Sequence, residues 1–386
     1  MADNLTTGLQ NVLTGVEKAH GLPNAHYTDH ETYHAETGQL FAKQWAALAF
    51  VADLPGNAHV KPIDFIGQPL LLATDRDGTI RVFENVCRHR GMILVDEAKP
   101  VPGALRCPYH SWCYDLTGKL RATPHVGGPG HNGHDAIDRS KLGLIEVRSH
   151  VWRGIVFVNL DGNAPSFEEA NASLIARWAE FEQPLYFGGE DSVFELALNT
   201  NWKLAIENYC ESYHLPWVHP ALNSYSRLED HYNIEGQHEF SGQGTHVYRQ
   251  LVGDAGEKFP DLKGLDAKWD AAAEYIALYP NVLLGIHRDH SFAIILIPQG
   301  PENTTERIAL FYHQPEAIAE NYASLRAKNT TQWKAVFEED IFVVEGMQRG
   351  RHARGFDGGR FSPVMDGPTH NFHKWVASTM LDRTDG

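Results

Sequence analysis

The chain has 386 residues, too many for one small core and suited to two domains, or to one domain with a large insertion. Its 42% hydrophobic and 21% charged residues are those of an ordinary soluble globular protein. A formal charge of −16 would be repelled by a phosphate backbone or an anionic membrane, so nucleic-acid and membrane partners are not expected.

The N-terminal stretch MADNLTTGLQNVLTGVEKAHGLP has neither a basic n-region nor a long apolar core, which argues against an export signal. The longest apolar run, FAIILIP at 292–298, is too short to span a bilayer. Four cysteines do not make a disulfide scaffold. Together these features predict a cytoplasmic protein. The 22 histidines are many for this length, and several cluster, which turns attention to metals.

Residues 1–40 predict a peripheral helical arm, and LFAKQWAALAF at 40–50 predicts either a short helix or a leading strand. From residue 60 the pattern changes. PLLLATDRDGTIRVFENVC has two apolar runs separated by DRDG, a hairpin signal. WCYDLTGKLRAT repeats it with a turn at Thr117-Gly118, and HVWRGIVFVNLDG is a β-rich run closing on Asp161-Gly162. Short strands with Gly/Asp turns predict an all-β domain over residues 41–165. After Pro165, SFEEANASLIARWAEFE is helical in composition. Then come strand-like SVFELALNTN, a long helix from Trp202 and a Gly/His-rich stretch. The strand-like runs YPNVLLGIHRDHSFAIILIPQG and TERIALFYHQP follow, and then a helix over residues 321–349. Strands mixed with long helices predict an α+β domain over residues 166–386.

The all-β domain carries two Cys-His pairs: Cys87 with His89, then, after seventeen residues, Cys107 with His110. A Cys-Cys-His-His set also suits zinc, but zinc fingers usually pair Cys with Cys and His with His at short spacings. Two mixed halves match a Rieske [2Fe–2S] centre, in which two cysteines hold one iron and two histidines the other. Each half would sit at the tip of a hairpin, with Gly91 and Pro108 suiting a tight loop. Tyr109 is the expected hydroxyl donor to a sulfur. CRHRGMILVDE and LRCPYHSWCYDLTGKL resemble the Rieske domain of aromatic-ring-hydroxylating oxygenases. Cys113 stands where that family more often has Thr, and is expected to be a packed thiol rather than a fifth ligand.

The second domain holds NWKLAIENYCESYHLPWVHP at 201–220. Glu207, Glu211 and His214 are spaced i, i+4, i+7, which on a continuous helix puts two carboxylates and an imidazole on one face. Pro216 disfavours helical geometry at Leu215, and a break there lets His214 and His219 reach one metal. On the later helix, Trp333, Val336, Phe337, Asp340, Val344 and Met347 share a face. A carboxylate aimed into a core is costly unless paired or metal-bound. Taken singly, His214 reads equally as a core histidine and Asp340 as a salt-bridged acid. Taken together, two His and one Asp make the facial triad of non-haem Fe(II) oxygenases, which leaves positions open for oxygen and substrate.

These stretches resemble the catalytic domain of Rieske oxygenase α subunits. The motif residues are Asn201-Trp202-Lys203, Glu207-Asn208, Glu211, His214, His219-Pro220, Glu339-Asp340, Glu345, Gln348 and Gly350. The resemblance covers residues 40–350. It implies an α+β fold: an all-β Rieske [2Fe-2S] domain followed by a helix-grip catalytic domain. It implies head-to-tail homotrimers in which the cluster of one subunit faces the mononuclear iron of the next. It places Glu211 as the acid bridging a cluster histidine to an iron histidine, with Asn208 beside it in the catalytic set. It also implies a separate flavin and iron-sulfur reductase, or a ferredoxin, that delivers electrons from NAD(P)H.

Glu211, where many aromatic dioxygenases carry Asp, resembles the branch acting on quaternary ammonium compounds, as does YPNVLLGIHRDHSFAIILIPQGPENTTER. The function so implied is a monooxygenase that uses O2 to demethylate a betaine-like compound oxidatively. Tyr213, Trp217, Tyr225 and Tyr232 are candidate cage aromatics for a methylammonium group. LNSYSRLEDHYNIEGQHEF and VLLGIHRDHSFAIILIP are expected to line the pocket, and Arg249 or Arg288 to clamp a carboxylate. The chain length favours a ring of α subunits alone. The alternatives are a ring-hydroxylating mono- or dioxygenase acting on an aromatic acid or amine, and an electron carrier without a second iron.

Overall fold

The computed structural model describes residues 2–236, 239–356 and 358–381. Met1, Gln237, His238, Asp357 and residues 382–386, which fall in the expected domains and in one expected pocket segment, lie outside the described residues. The chain forms two compact units: residues 47–163, and residues 1–46 together with 164–386. No described helix is long and apolar enough to cross a membrane.

The 47–163 unit is built of antiparallel strands, a seven-stranded sheet and a three-stranded one. Its hairpins form where the turn chemistry demands. Gln68–Thr74 and Ile80–Glu84 pair in register Thr74 to Ile80. The turn between them has Gly78 at φ +84, and Asp75 Oδ1 accepts from the Asp77 and Thr79 amides. Glu146–Trp152 and Ile155–Asn159 are joined by Arg153 and Gly154, both at positive φ, as a two-residue hairpin loop requires. Residues 40–50 resolve to the strand Ala46–Phe50, buried throughout.

In the larger unit, an eight-stranded antiparallel sheet runs from Tyr186–Phe187 through Thr304–Tyr312, His290–Pro298, Val282–Ile286, Ala273–Leu278 and Phe240–Thr245 to His231–Glu235. Val193–Leu198 also pairs with Thr304–Tyr312. The sheet packs on the helix Ala323–Gly350 through aromatic contacts. Trp333 and Phe337 lie 4.6 and 5.2 Å from Phe292 between ring centres. This is the helix-grip arrangement. The helix buries Trp333, Phe337, Val344 and Gln348 along one line, the seam on which Asp340 falls.

Two expectations need correction. The helix from Trp202 is short: it spans Trp202–Tyr209 and ends at Cys210. Pro216 does not stop a helix; it occupies the first turn of a new one, Leu215–Val218, where its missing N–H and fixed φ suit it. The Gly/His-rich stretch supplies two strands of the sheet, His231–Glu235 and Phe240–Thr245. A final helix, Gly367–Leu381, was not legible in the sequence.

Candidate active site

The cluster-type residues sit on two loops of one design. In the first, the Cys87 amide donates to Met92 O at 2.8 Å and the Gly91 amide to Cys87 O at 3.0 Å. In the second, the Cys107 amide donates to Trp112 O at 2.8 Å and the Ser111 amide to Cys107 O at 3.0 Å. The fifth residue of each loop turns left-handed: Gly91 at φ +73 and Ser111 at φ +58. Glycine takes that conformation freely, whereas serine costs about 1 kcal/mol. Both loops are hairpin tips, bounded by the bridge Val86 to Ile93 and by the pair Arg106 to Cys113.

The geometry brings all four side chains together. The His89 and His110 rings lie 4.6 Å apart, and His89 stacks on Trp112 at 4.7 Å. Burial, then His110 and Arg90, lower the pKa of His89, which keeps it in the neutral form that ligates metals. Burial pushes the Cys87 thiol up, and the neighbouring Cys107 adds to this against the pull of Tyr114. His110 Nδ1 is buried with no hydrogen-bond partner. Two buried thiols beside two imidazoles, one held neutral by burial and the other with an orphaned ring nitrogen, fit a [2Fe–2S] cluster of the Rieske kind. Cys113 donates to Ser111 O at 3.1 Å, as a packed thiol does.

Tyr109 does not have the place expected of it. It is 55% exposed, and its hydroxyl accepts from Arg90 at 3.4 Å. The buried Tyr114 is the hydroxyl at the sulfur, 3.3 Å from Cys87 Sγ, and it accepts from the Arg88 amide at 3.1 Å. Tyr114 was hidden because its position in a short apolar strand reads as packing.

In the larger unit, the turn at 210–213 carries Glu211 and His214 off the face of the helix Trp202–Tyr209. Glu207 is therefore left behind, against expectation. It is buried, accepts from Tyr27 Oη at 2.6 Å, and lies 3.4 Å from Arg351 and 3.2 Å from His373. His214 directly precedes the helix Leu215–Val218, and His219 links that helix to Pro220–Asn223. Their ring centres are 5.2 Å apart.

Asp340 completes a set of three. Its Oδ1 lies 3.0 Å from His219 Nε2 and 3.7 Å from His214 Nε2, and the potential ligand atoms all fall within 4.8 Å of one another. Each histidine is held from behind by a carboxylate. His214 Nδ1 meets Glu211 Oε1 at 2.7 Å, and His219 Nδ1 meets Glu339 Oε2 at 2.7 Å. A proton on each Nδ1 leaves each Nε2 lone pair aimed at the centre. Burial opposes protonation of His219, but Asp340 and Glu339 outweigh it and raise its pKa. Three carboxylates around two imidazoles leave excess negative charge, which fits a divalent iron. Glu306 adds no fourth charge at neutral pH, because burial and then Asp340 push its carboxyl up to about 8. Glu339 precedes Asp340 in the sequence motif, and nothing in its spacing marks it as a partner of His219.

Beside these residues lies a cavity, its wall formed in part by Asn208, Glu211, His214, His219, Tyr225 and Asp340. Of the four expected cage aromatics, only Tyr225 lines it. Tyr213 and Trp217 are 43% and 71% exposed and pack on each other at 5.8 Å. Tyr232 donates to Glu274 at 3.1 Å and stacks on His246. The aromatic wall is made instead by Tyr209, Tyr248, Tyr275, Phe292, Trp333 and Phe337. Behind it, the buried Asp289 accepts from Tyr248 Oη at 2.8 Å and from His290 Nδ1 at 2.9 Å. Trp333 Nε1 donates to His290 Nε2 at 2.8 Å, which fixes the His290 tautomer.

Residues 44–134 match the Rieske [2Fe-2S] domain. The chain is 26% identical over 384 residues to the carnitine monooxygenase oxygenase subunit of Escherichia coli (strain K12), covering 97% of each chain. It is 26% identical over 399 residues to the glycine betaine monooxygenase oxygenase subunit of Chromohalobacter salexigens, covering 95% of this chain and 87% of that one. Its fold is similar to the crystal structure of the quaternary ammonium Rieske monooxygenase CntA in complex with L-carnitine, with a TM-score of 0.72, 22% identity and coverage of 96% and 97%. Residues 176–382 match the ring hydroxylating alpha subunit (catalytic domain) family. The chain therefore belongs to the ring-hydroxylating α-subunit family of Rieske oxygenases.

Proposed function

We propose that this chain is the terminal oxygenase of a quaternary-ammonium monooxygenase, acting on an N-methyl group of a betaine-like substrate. In this reading Cys87, His89, Cys107 and His110 hold the cluster, and His214, His219 and Asp340 hold the mononuclear iron. When loaded, the cluster supplies single electrons and the iron binds and activates dioxygen. The observation that carries the reading is the pair of histidines whose Nδ1 atoms are clamped by Glu211 and Glu339 beside an aromatic-walled cavity.

The chain's own residues set the conditions for this chemistry. Glu211 and Glu339 fix the ring planes of His214 and His219 and their tautomers. Tyr209, Tyr275 and Trp333 line the cavity, and aromatic rings of this kind attract a methylammonium and exclude water. Hydroxylation of an N-methyl carbon gives a species that collapses to formaldehyde and the demethylated amine. One O2, two electrons and two protons enter, and formaldehyde, the amine, one water and one proton leave. The two relatives, named for carnitine and glycine betaine, support the substrate class.

The assembly proposed is a head-to-tail homotrimer, in which Glu211 links the iron histidine of one subunit to a cluster histidine of its neighbour. A separate reductase or ferredoxin in the cytoplasm would supply electrons from NAD(P)H.

A single turnover of the pre-reduced holoenzyme, with oxygen and a mixed panel of betaines and aromatic acids, tests this. Formaldehyde with loss of one methyl group is the expected result. A ring product that gains one oxygen, or two oxygens and two hydrogens, would replace the reading with ring hydroxylation.

A further inference from the structure

Among the described residues that line the cavity, one lysine or arginine appears, Arg249. Its guanidinium lies over the Tyr225 ring at 5.3 Å. No hydrogen bond or ion pair joins it to another described residue. Arg288, the other arginine suggested by the sequence, is already engaged: it meets Asp261 at 2.5 Å and Asp270 at 3.1 Å. The cavity histidines away from the metal site are engaged as well. His231 bonds Gln243 and Ser226, and His290 bonds Asp289 and Trp333.

We infer that Arg249 is a specificity-determining residue that grips an anionic group of the substrate. A guanidinium presents a rigid fork of donors that matches a carboxylate or sulfonate with two parallel hydrogen bonds. Arg249 is an exposed residue at the cavity wall, its guanidinium rests over the Tyr225 ring, and its donors are open to an incoming group. Against a strongly negative surface, an incoming anion needs one local cation to offset the long-range repulsion. The acids of the cavity, Glu211 and Asp340, belong to the metal site and do not pair with Arg249. The cavity thus offers aromatic side chains for a cation and one free cation for an anion, which complements a zwitterion. This rests on the cavity being the substrate pocket, and deepens the proposed function without depending on which bond is oxidised.

Calorimetric binding to the metal-loaded protein tests it. The ligands are γ-butyrobetaine and its methyl ester, and benzoate and benzamide; the proteins are wild type, R249Q and R249K. One acid should bind wild type more tightly than its uncharged partner. R249Q should weaken that acid by about tenfold to a hundredfold, the range for a hydrogen bond to a charged group. R249K should recover part of the loss, since it keeps the charge and loses the fork. The visible spectrum of the cluster reports that both variants fold. The inference is overturned if acid and uncharged partner weaken alike, if R249Q binds the acid as wild type does, or if wild type binds neither acid. Formaldehyde release is read in parallel. Its absence, with the selectivity loss intact, would overturn the demethylation reading and leave Arg249 standing.

Discussion

The two proposed metal sites are built by opposite means. The cluster site takes its four side chains from residues 87–110, on two loops that repeat one hydrogen-bond pattern. Each loop is closed by its own hairpin, so the geometry is fixed locally. The iron site takes two histidines from a broken helical segment and its third ligand from the helix Ala323–Gly350, 121 residues beyond His219. Only the packing of that helix against the sheet brings Asp340 to the histidines. A local site needs its loops; a non-local site needs the whole domain. The same chain can therefore lose one site and keep the other.

The largest expected effect separates the two sites outright. Asp340→Ala should abolish turnover and cost one iron per chain, while the visible spectrum of the cluster stays unchanged. Turnover that survives in this variant, measured by product formation, would remove Asp340 from the ligand set. The next comparison lies within the iron site. Glu211→Gln should leave both sites loaded but stop electron transfer between them, read as a cluster that stays reduced after oxygen and substrate are added. Glu339→Gln breaks the matching contact on His219 and should weaken iron affinity by about 10- to 100-fold, the usual cost of losing an outer partner. If the two variants behave alike, Glu211 is an orienting group only, and the bridge lies elsewhere.

The same division explains what was legible in the sequence. Cys87, His89, Cys107 and His110 could be read because their spacing alone encodes a pair of loops. Asp340 could be read because one acid interrupts an apolar helical face. Glu339 could not, since it lies one residue away on the helix and its role exists only once His219 is packed against it. Helical spacing misled at Glu207, because the turn at 210–213 removes the common face that i, i+4, i+7 assumes. The expected aromatic cage failed for a similar reason. Tyr213 and Trp217 are neighbours of His214 in the chain, and the backbone turn that aims His214 inward aims them outward. The true wall comes from strands and the long helix, and that convergence is tertiary. Ser111 matching Gly91 in conformation is likewise visible only in the backbone.

A smaller effect probes how the non-local site is supported. Asp289 is fully buried behind the cavity wall. Burial disfavours its charge, but His290, His287 and Tyr248 outweigh this and bring its carboxyl down to about 2. A native value below the unfolded one stabilises the fold above the unfolded pKa, and that contribution disappears as pH falls through the native value. Asp289→Asn should therefore cost about 2 kcal/mol at neutral pH, for a shift of this size in a buried group. The gap between wild type and variant, read as unfolding midpoints, should hold above pH 4 and close as pH approaches 2. A gap independent of pH would mean that shape rather than charge makes Asp289 matter. At neutral pH the cluster spectrum of the variant should match that of wild type.

The smallest effect tests the local site by its own outer contact. Tyr114 accepts from the Arg88 amide, so its hydroxyl proton is free to point at Cys87 Sγ, 3.3 Å away. A hydrogen bond to a ligand sulfur favours the more electron-rich, reduced cluster. Tyr114→Phe keeps the ring in its buried place and removes only that donor, so the reduction potential should fall. A bond worth about 1 kcal/mol, if felt wholly by one redox state, corresponds to about 40 mV for a one-electron couple. This is far less than the several hundred millivolts that separate Rieske from all-cysteine clusters, so electron flow should slow rather than stop. Tyr109→Phe serves as the control, because that hydroxyl faces Arg90 and solvent and its loss should leave the potential where it was. Equal shifts in the two variants would show that the potential follows the general polarity of the loops, and that Tyr114 has no directed bond to the sulfur.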